Sequence, residues 1–109
     1  MKIFFLVIFI LISFCKFAFS EDEQQIIAMG DKEYGQYLGA ECASCHHQSG
    51  ASEGIPSIHG MDAEVFVALM LAYRAKEMEN PVMQMIAGRL NGEQIGSLAL
   101  YFSEFDSPK

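Results

Sequence analysis

Residues 42–46 read Cys-Ala-Ser-Cys-His, and they are the part of the chain whose residue types and spacing could do chemistry. Two thiols three positions apart can each add across one vinyl group of a haem, and the adjacent histidine then faces the iron from the same side. The pattern predicts covalent attachment of one haem c through Cys42 and Cys45, with His46 as the proximal iron ligand. An apolar macrocycle would also enlarge the core of a short chain.

Three other uses of the same thiols remain open. A redox-active disulfide normally sits at the junction of a strand and a helix in an α/β fold, and this sequence has no strand pattern. A zinc site could combine the two cysteines with His46 or His47 and with His59, but no second C-x-x-C follows and the spacing matches no standard finger or ribbon. A structural disulfide between the two thiols is the simplest alternative.

A low-spin electron carrier needs a second axial ligand, and a methionine in that position raises the reduction potential. Met83 and Met85 lie in a short segment between two breaks that contain Gly and Asn, from which a side chain can reach the open face of a haem. Met70 belongs instead to the apolar stripe of a longer helix and is predicted to fill the core. The spacing does not separate Met83 from Met85, because residues two apart on a helix point in nearly opposite directions.

Composition limits the classes of protein to which the chain can belong. Its 109 residues are enough for one small domain. The hydrophobic content of 51% argues against a disordered chain. All 14 acidic residues but only five of the seven basic ones follow residue 20. This excess of acidic residues disfavours binding to nucleic-acid phosphates and is compatible with a partner that has a basic surface.

The first twenty residues have the organisation of an export signal. Lys2 precedes an apolar run over residues 3–14, and residues 18–20 (Ala-Phe-Ser) place small side chains at −3 and −1 of a cut before Glu21. The pattern predicts a signal peptide over residues 1–20, a single domain over 21–109 and a location in the bacterial periplasm, which is oxidising.

Two alternatives concern the same leader. An uncleaved membrane anchor is disfavoured because the apolar run is shorter than the ~20 residues that a span needs. A lipid-modified Cys15 is disfavoured by the bulky residue before it. No stable membrane anchor is therefore expected.

The elements that must position these residues are predicted to be all helical. Apolar residues recur with helical period, no strand pattern or internal repeat is found, and residues 49–60 read as a loop. The first predicted helix covers 26–38 after a frayed start over 21–25; it is firm from Asp31 and stops at Gly39. A second long helix covers 62–76 and is capped by Asp62. A short helix runs from Asn80-Pro81 to about Gly88, and a last helix follows a capping box at Asn91–Gln94. The apolar face predicted for the helix over 62–76 consists of Val65, Phe66, Leu69, Met70 and Tyr73. The face predicted for the last helix consists of Ile95, Leu98, Ala99, Phe102 and Phe105.

Residues 32–105 resemble a class I cytochrome c, and are most similar to the haem subunit of flavocytochrome c sulfide dehydrogenases. The segments that carry the resemblance are Cys-Ala-Ser-Cys-His at 42–46, Ile-Pro-Ser-Ile at 55–58, Met-Asp-Ala-Glu-Val-Phe-Val at 61–67, Met-Gln-Met-Ile-Ala at 83–87 and Leu-Ala-Leu-Tyr-Phe at 98–102. The first segment is specific for c-type haem. The Met-Asp-Ala-Glu-Val-Phe-Val segment is the more specific pointer to the flavocytochrome subunit.

The resemblance implies a small class I cytochrome c fold, with three to five helices wrapped around one covalently bound haem. It assigns Met83 as the distal iron ligand and leaves Met85 to packing. It also implies that the carbonyl of Pro56 accepts a hydrogen bond from the second ring nitrogen of His46, which fixes the tautomer and the donor strength of that ligand. One departure is His47, where many relatives have Gly, and its side chain is expected to be solvated or to contact a haem propionate.

The implied function is periplasmic electron transfer by a monohaem protein that is not itself an enzyme. Its electron donor would be an FAD-containing flavoprotein subunit that oxidises sulfide, and its acceptor another cytochrome or a membrane oxidase chain. A free-standing periplasmic carrier for another oxidoreductase and a five-coordinate haem sensor are the alternatives. His59 is expected to be exposed or hydrogen-bonded in its loop, and Arg74 to lie on the surface.

Overall fold

The computed structural model describes residues 21–49 and 53–106. Its five helices are α1 (Glu21–Met29), α2 (Lys32–Ala43), α3 (Ala63–Arg74), α4 (Pro81–Arg89) and α5 (Gly92–Ser103). These two ranges contain no strand, which confirms the predicted all-α class. None of the described helices is long and apolar enough to cross a membrane. The predicted signal peptide over residues 1–20 lies outside the described residues.

Helix α5 is the centre of the fold, because α1, α2 and α3 all pack against it, whereas α4 packs against α3. The ring of Phe102 on α5 stacks on that of Phe66 on α3 with 6.0 Å between their centroids. The buried apolar core consists of Phe66, Val67, Met70, Ala87, Ile95, Leu98, Ala99 and Phe102. Burial of these side chains is the main force that holds the helices together.

The helix starts are set by side chains that accept hydrogen bonds from the first free backbone N–H groups. Asp31, Asp62 and Asn80 each accept such a bond at the start of α2, α3 and α4, as predicted. At the start of α5, Asn91 and Gln94 bond reciprocally at 2.9 Å in both directions, which confirms the predicted capping box.

The first part of the fold differs from the prediction in three ways. The single helix predicted over 26–38 is interrupted at Gly30 and Asp31, which separate α1 from α2. Residues 21–25 are helical and belong to α1, which ends before Gly30. Gly39 does not stop α2, which continues to Ala43. A Cβ at position 39 would lie 2.9 Å from the ring of Tyr101, so this glycine serves the close approach of α2 to α5 rather than a helix end. The longer α2 brings Cys42 onto a helix.

The buried face of α3 also differs from the prediction. Val67 is fully buried, whereas Val65 is 50% exposed. Helix α3 packs against α1, α4 and α5, so its apolar contact surface is wider than one stripe. Phe105, expected to face inward from the last helix, lies beyond the end of α5 and is half-buried.

The fully buried hydroxyl of Ser97 joins the break between α1 and α2 to α5. Its Oγ accepts from the backbone N–H of Asp31 at 2.9 Å and donates to the carbonyl of Glu93 at 2.7 Å. We expect Ser97→Ala to lower the free energy of unfolding by about 1–3 kcal/mol, because the N–H of Asp31 loses its partner in a partly buried place. Urea denaturation followed by circular dichroism measures the loss.

Ser103→Ala is the matched control on the same helix. The hydroxyl of Ser103 donates only to the carbonyl of Leu100, three residues earlier, at 3.0 Å. Its removal leaves no distant donor unpaired, so the loss should stay below about 0.5 kcal/mol. Equal losses in the two variants would contradict the role given to Ser97.

Candidate functional site

The Cys-Ala-Ser-Cys-His segment lies on the last turn of α2 and the turn that follows it. The backbone N–H groups of Cys45 and His46 both donate to the carbonyl of Cys42, at 3.2 and 2.8 Å. These bonds continue the coiling of the helix past its end at Ala43. Residues at i, i+3 and i+4 share one side of such a turn, so the two thiols and the imidazole belong to the same side.

The two cysteines are separate thiols, since neither takes part in a disulfide. Cys42 is half-buried and packs against the core, while Cys45 is exposed. Burial raises the pKa of the Cys42 thiol to about 11, and the negative charge of Glu41 adds to the effect. Redox-active cysteines have lowered pKa values, so this thiol has the opposite character.

The alternative of a metal site built from protein side chains was open for the same residues. Among residues 21–49 and 53–106, no three His, Cys, Asp or Glu side chains converge as a metal site of that kind requires. The donor set of the zinc alternative is therefore not assembled in this part of the chain.

The imidazole of His46 is half-buried and held by the loop before α3. Its Nδ1 lies 2.6 Å from the carbonyl oxygen of Pro56. A carbonyl can only accept, so Nδ1 carries the proton and donates it in this bond. In the neutral ring this tautomer leaves the lone pair on Nε2, which is the form in which a histidine binds a metal.

His59 was expected to be exposed or hydrogen-bonded; it is buried, with 7% of its surface exposed, and its Nδ1 lies within hydrogen-bond distance of the Ser57 hydroxyl at 3.5 Å, so the second of the two expected states is found. Its ring meets Phe102 and Phe105 edge-on, with centroids 5.0 and 4.8 Å apart. Burial lowers the pKa of His59, and the nearby His46 lowers it further. Reasoning from the sequence missed the burial of this ring, because a lone histidine in a loop of small residues belongs to no periodic pattern.

The two candidate methionines lie differently on α4. Met83 is half-buried and packs against the core, whereas Met85 is 59% exposed. The backbone N–H of Met83 bonds to the side chain of Asn80 at 3.1 Å, which places Met83 in the first turn of the helix. The inward position favours Met83 over Met85 as a ligand, although its bond to iron stays a prediction.

Helix α4 is fixed at its C-terminal end by contacts with two other helices. Arg89 pairs with Glu41, one residue before the first cysteine, at 3.1 Å. The guanidinium of Arg74 at the end of α3 donates to the carbonyl of Leu90. Arg74 is exposed, as expected, and so is the side chain of His47.

The thiols of Cys42 and Cys45, the imidazole of His46 and the thioether of Met83 are a set of donors whose chemistry fits a haem. Two unpaired thiols at i and i+3 would hold the porphyrin, and the Nε2 of His46 and the sulfur of Met83 would be its axial ligands. Bound in this way, a haem supplies a one-electron couple whose potential depends on the ligands, hydrogen bonds and burial that the protein provides.

Comparison with known proteins agrees with this description. No protein family model matches the chain. The chain is 33% identical over 69 residues to the cytochrome subunit of sulfide dehydrogenase from Chlorobaculum tepidum. The aligned region covers 62% of this chain and 63% of that protein, which is less than two thirds of its length. The resemblance found in the sequence motifs is thereby confirmed.

Proposed function

We propose that this chain is a monohaem c-type cytochrome that transfers electrons, and that it is the cytochrome subunit of a flavocytochrome c sulfide dehydrogenase. The observation that carries the proposal is the arrangement at residues 42–46. Two unpaired thiols and an imidazole lie on one helical turn, and the Nδ1 of the imidazole is held by a backbone carbonyl. The similarity to a cytochrome subunit supports the same function and fits a carrier that is not itself catalytic.

Each site residue has one role in this proposal. Cys42 and Cys45 add across the two vinyl groups of one haem, so that each sulfur gains a bond to carbon and each thiol hydrogen passes to the other vinyl carbon. His46 is the proximal iron ligand and Met83 the distal one. The carbonyl of Pro56 sets the tautomer and the orientation of the His46 ring.

The proposed electron donor is an FAD-containing flavoprotein subunit, and the proposed acceptor is another cytochrome or a membrane oxidase chain. The leader pattern over residues 1–20 supports export to the periplasm, and the similarity to a subunit of sulfide dehydrogenase supports the flavoprotein partner. On the helix that carries Met83, the side chains of Val82 and Met85 are 58% and 59% exposed. Large apolar side chains at a surface suit the core of a permanent interface.

Gel filtration of the chain co-expressed with the candidate flavoprotein tests the subunit proposal. At about 0.5 M salt the screening length falls below roughly 5 Å, so contacts between surface charges fade while apolar contacts persist. We expect the two proteins to co-elute at low salt and at this salt concentration. Separation at every salt concentration would reject the subunit proposal and leave a free-standing carrier.

A pair of matched variants shows whether α4 forms that contact. Met85→Asp places a charge on the exposed face of α4, and Val65→Asp places one at a similarly exposed position, 50% accessible, on α3. We expect Met85→Asp to weaken co-elution and Val65→Asp to leave it unchanged. The opposite pattern would move the interface away from α4.

A further inference from the structure

Residues 53–62 lead into α3 without a helix of their own, so individual contacts decide the path of this loop. At one end the carbonyl of Pro56 accepts from His46. At the other end the backbone N–H of Gly60 donates to the carbonyl of Phe102 at 2.8 Å. The loop therefore joins the imidazole of His46 to the C-terminal part of α5.

Between these two ends lies the buried ring of His59. It stands edge-on to Phe102 and Phe105, with interplanar angles of 88° and 82°. The Oγ of Ser57 lies 3.5 Å from its Nδ1 and 3.4 Å from its backbone nitrogen. Two perpendicular ring contacts, together with a local hydrogen-bond partner, restrict both the position and the rotation of the side chain.

His59 follows Pro56 by only three residues, and the backbone N–H of His59 donates to the hydroxyl of Ser57, the residue directly after Pro56, at 3.4 Å. A shift of the His59 ring therefore moves the Pro56 carbonyl relative to the Nδ1 of His46. A ligand-holding partner of this kind controls both the orientation of the imidazole and its strength as a donor. The Pro56 group is a backbone carbonyl, so no side-chain substitution deletes it, whereas His59 can be replaced.

We propose that His59 is a positioning residue for the proximal iron ligand. Its ring, buried between Phe102 and Phe105, fixes the loop so that the carbonyl of Pro56 holds His46. The proposal rests on the proposed function, because His46 must bind a haem iron for its hydrogen bond to matter.

The first test measures the His46–Pro56 bond itself. In the reduced, haem-loaded protein, nuclear magnetic resonance reports the exchange of the Nδ1 proton of His46 with solvent. We expect His59→Ala to speed this exchange by about tenfold, since the loop that holds the acceptor is loosened. His59→Phe keeps an aromatic ring in the same place and should leave the exchange close to that of the wild type.

The second readout is the reduction potential. A weaker bond from Nδ1 makes His46 a poorer electron donor to the iron, which favours the reduced form. His59→Ala should therefore raise the potential, while His59→Phe should restore it. If His59→Ala cannot be produced as folded protein, His59→Leu replaces it, because leucine fills a similar volume without a ring. We expect the same faster Nδ1 exchange and the same raised reduction potential in that variant.

Val67→Ala controls for general loss of stability, because Val67 is fully buried in the core on α3 rather than in the loop. It should leave both the exchange rate and the potential unchanged. Wild-type values in His59→Ala, or equal shifts in Val67→Ala, would overturn the role of His59 without affecting the proposed function. A wild-type protein that carries no covalent haem would instead reject the proposed function before any variant is compared.

Discussion

Replacing Gly35 with alanine is expected to lower the free energy of unfolding by more than about 3 kcal/mol, a large part of the stability of a small domain. The new Cβ would lie 1.9 Å from the carbonyl oxygen of Ser97 and 2.5 Å from its carbonyl carbon. Both are backbone atoms of α5, so no side-chain rotation relieves the clash. Helix α2 would have to move away from α5, and with it the turn that carries the two cysteines. Urea denaturation, or loss of soluble protein, measures the effect.

Gly88→Ala is the control for this substitution. Position 88 lies inside α4, and apart from its chain neighbours and the backbone of its own helix no atom lies within 4 Å of a Cβ built there. Alanine favours a helix over glycine by up to about 1 kcal/mol, so this variant should be as stable as the wild type or more stable. Wild-type stability in Gly35→Ala would contradict the close crossing of α2 and α5.

Replacing Met83 with alanine is expected to abolish the weak near-infrared absorption band that a sulfur–iron bond gives in the oxidised protein. Met83 is half-buried against the core on α4, so of the two methionines of this helix that are candidates it is the one that faces the interior. The variant should keep its covalent haem, because the thioether bonds do not involve Met83. It should also have a lower reduction potential, since a methionine ligand raises the potential.

Met85→Ala should leave the band in place, because 59% of that side chain faces solvent. The reverse result, with the band lost in Met85→Ala and kept in Met83→Ala, would transfer the distal position to Met85. A wild-type protein without the band would instead favour the five-coordinate haem sensor.

The starts of the helices could be predicted because they depend on neighbours in the sequence. Asp62 and Asn80 cap helices through bonds to N–H groups two or three residues ahead, and such bonds need no distant partner. The all-α class followed in the same way from the periodicity of the apolar residues.

Features that depend on distant residues could not be predicted in this way. Gly39 looks like a helix stop until the ring of Tyr101 is placed beside it. Val67 is buried because α3 is covered by three other helices, which a single apolar stripe does not indicate.

In the candidate site, too, the residues set by local sequence could be predicted, and those that depend on distant contacts could not. The cysteines and His46 are recognisable because covalent chemistry fixes their spacing within five residues. The burial of His59 depends on Phe102 and Phe105, more than 40 positions later in the chain, so no local pattern indicates it. The choice between Met83 and Met85 needs the direction in which α4 faces, which the sequence alone does not supply.

The most direct test of the account is whether haem stays on the polypeptide under denaturing conditions. The chain is exported from a host that attaches haem to c-type cytochromes, purified, and extracted with acidified organic solvent. We predict that the haem remains with the polypeptide, whose mass is increased by one haem, and that a variant with both Cys42→Ala and Cys45→Ala holds none covalently. Haem that passes from the wild-type protein into the solvent would contradict the account.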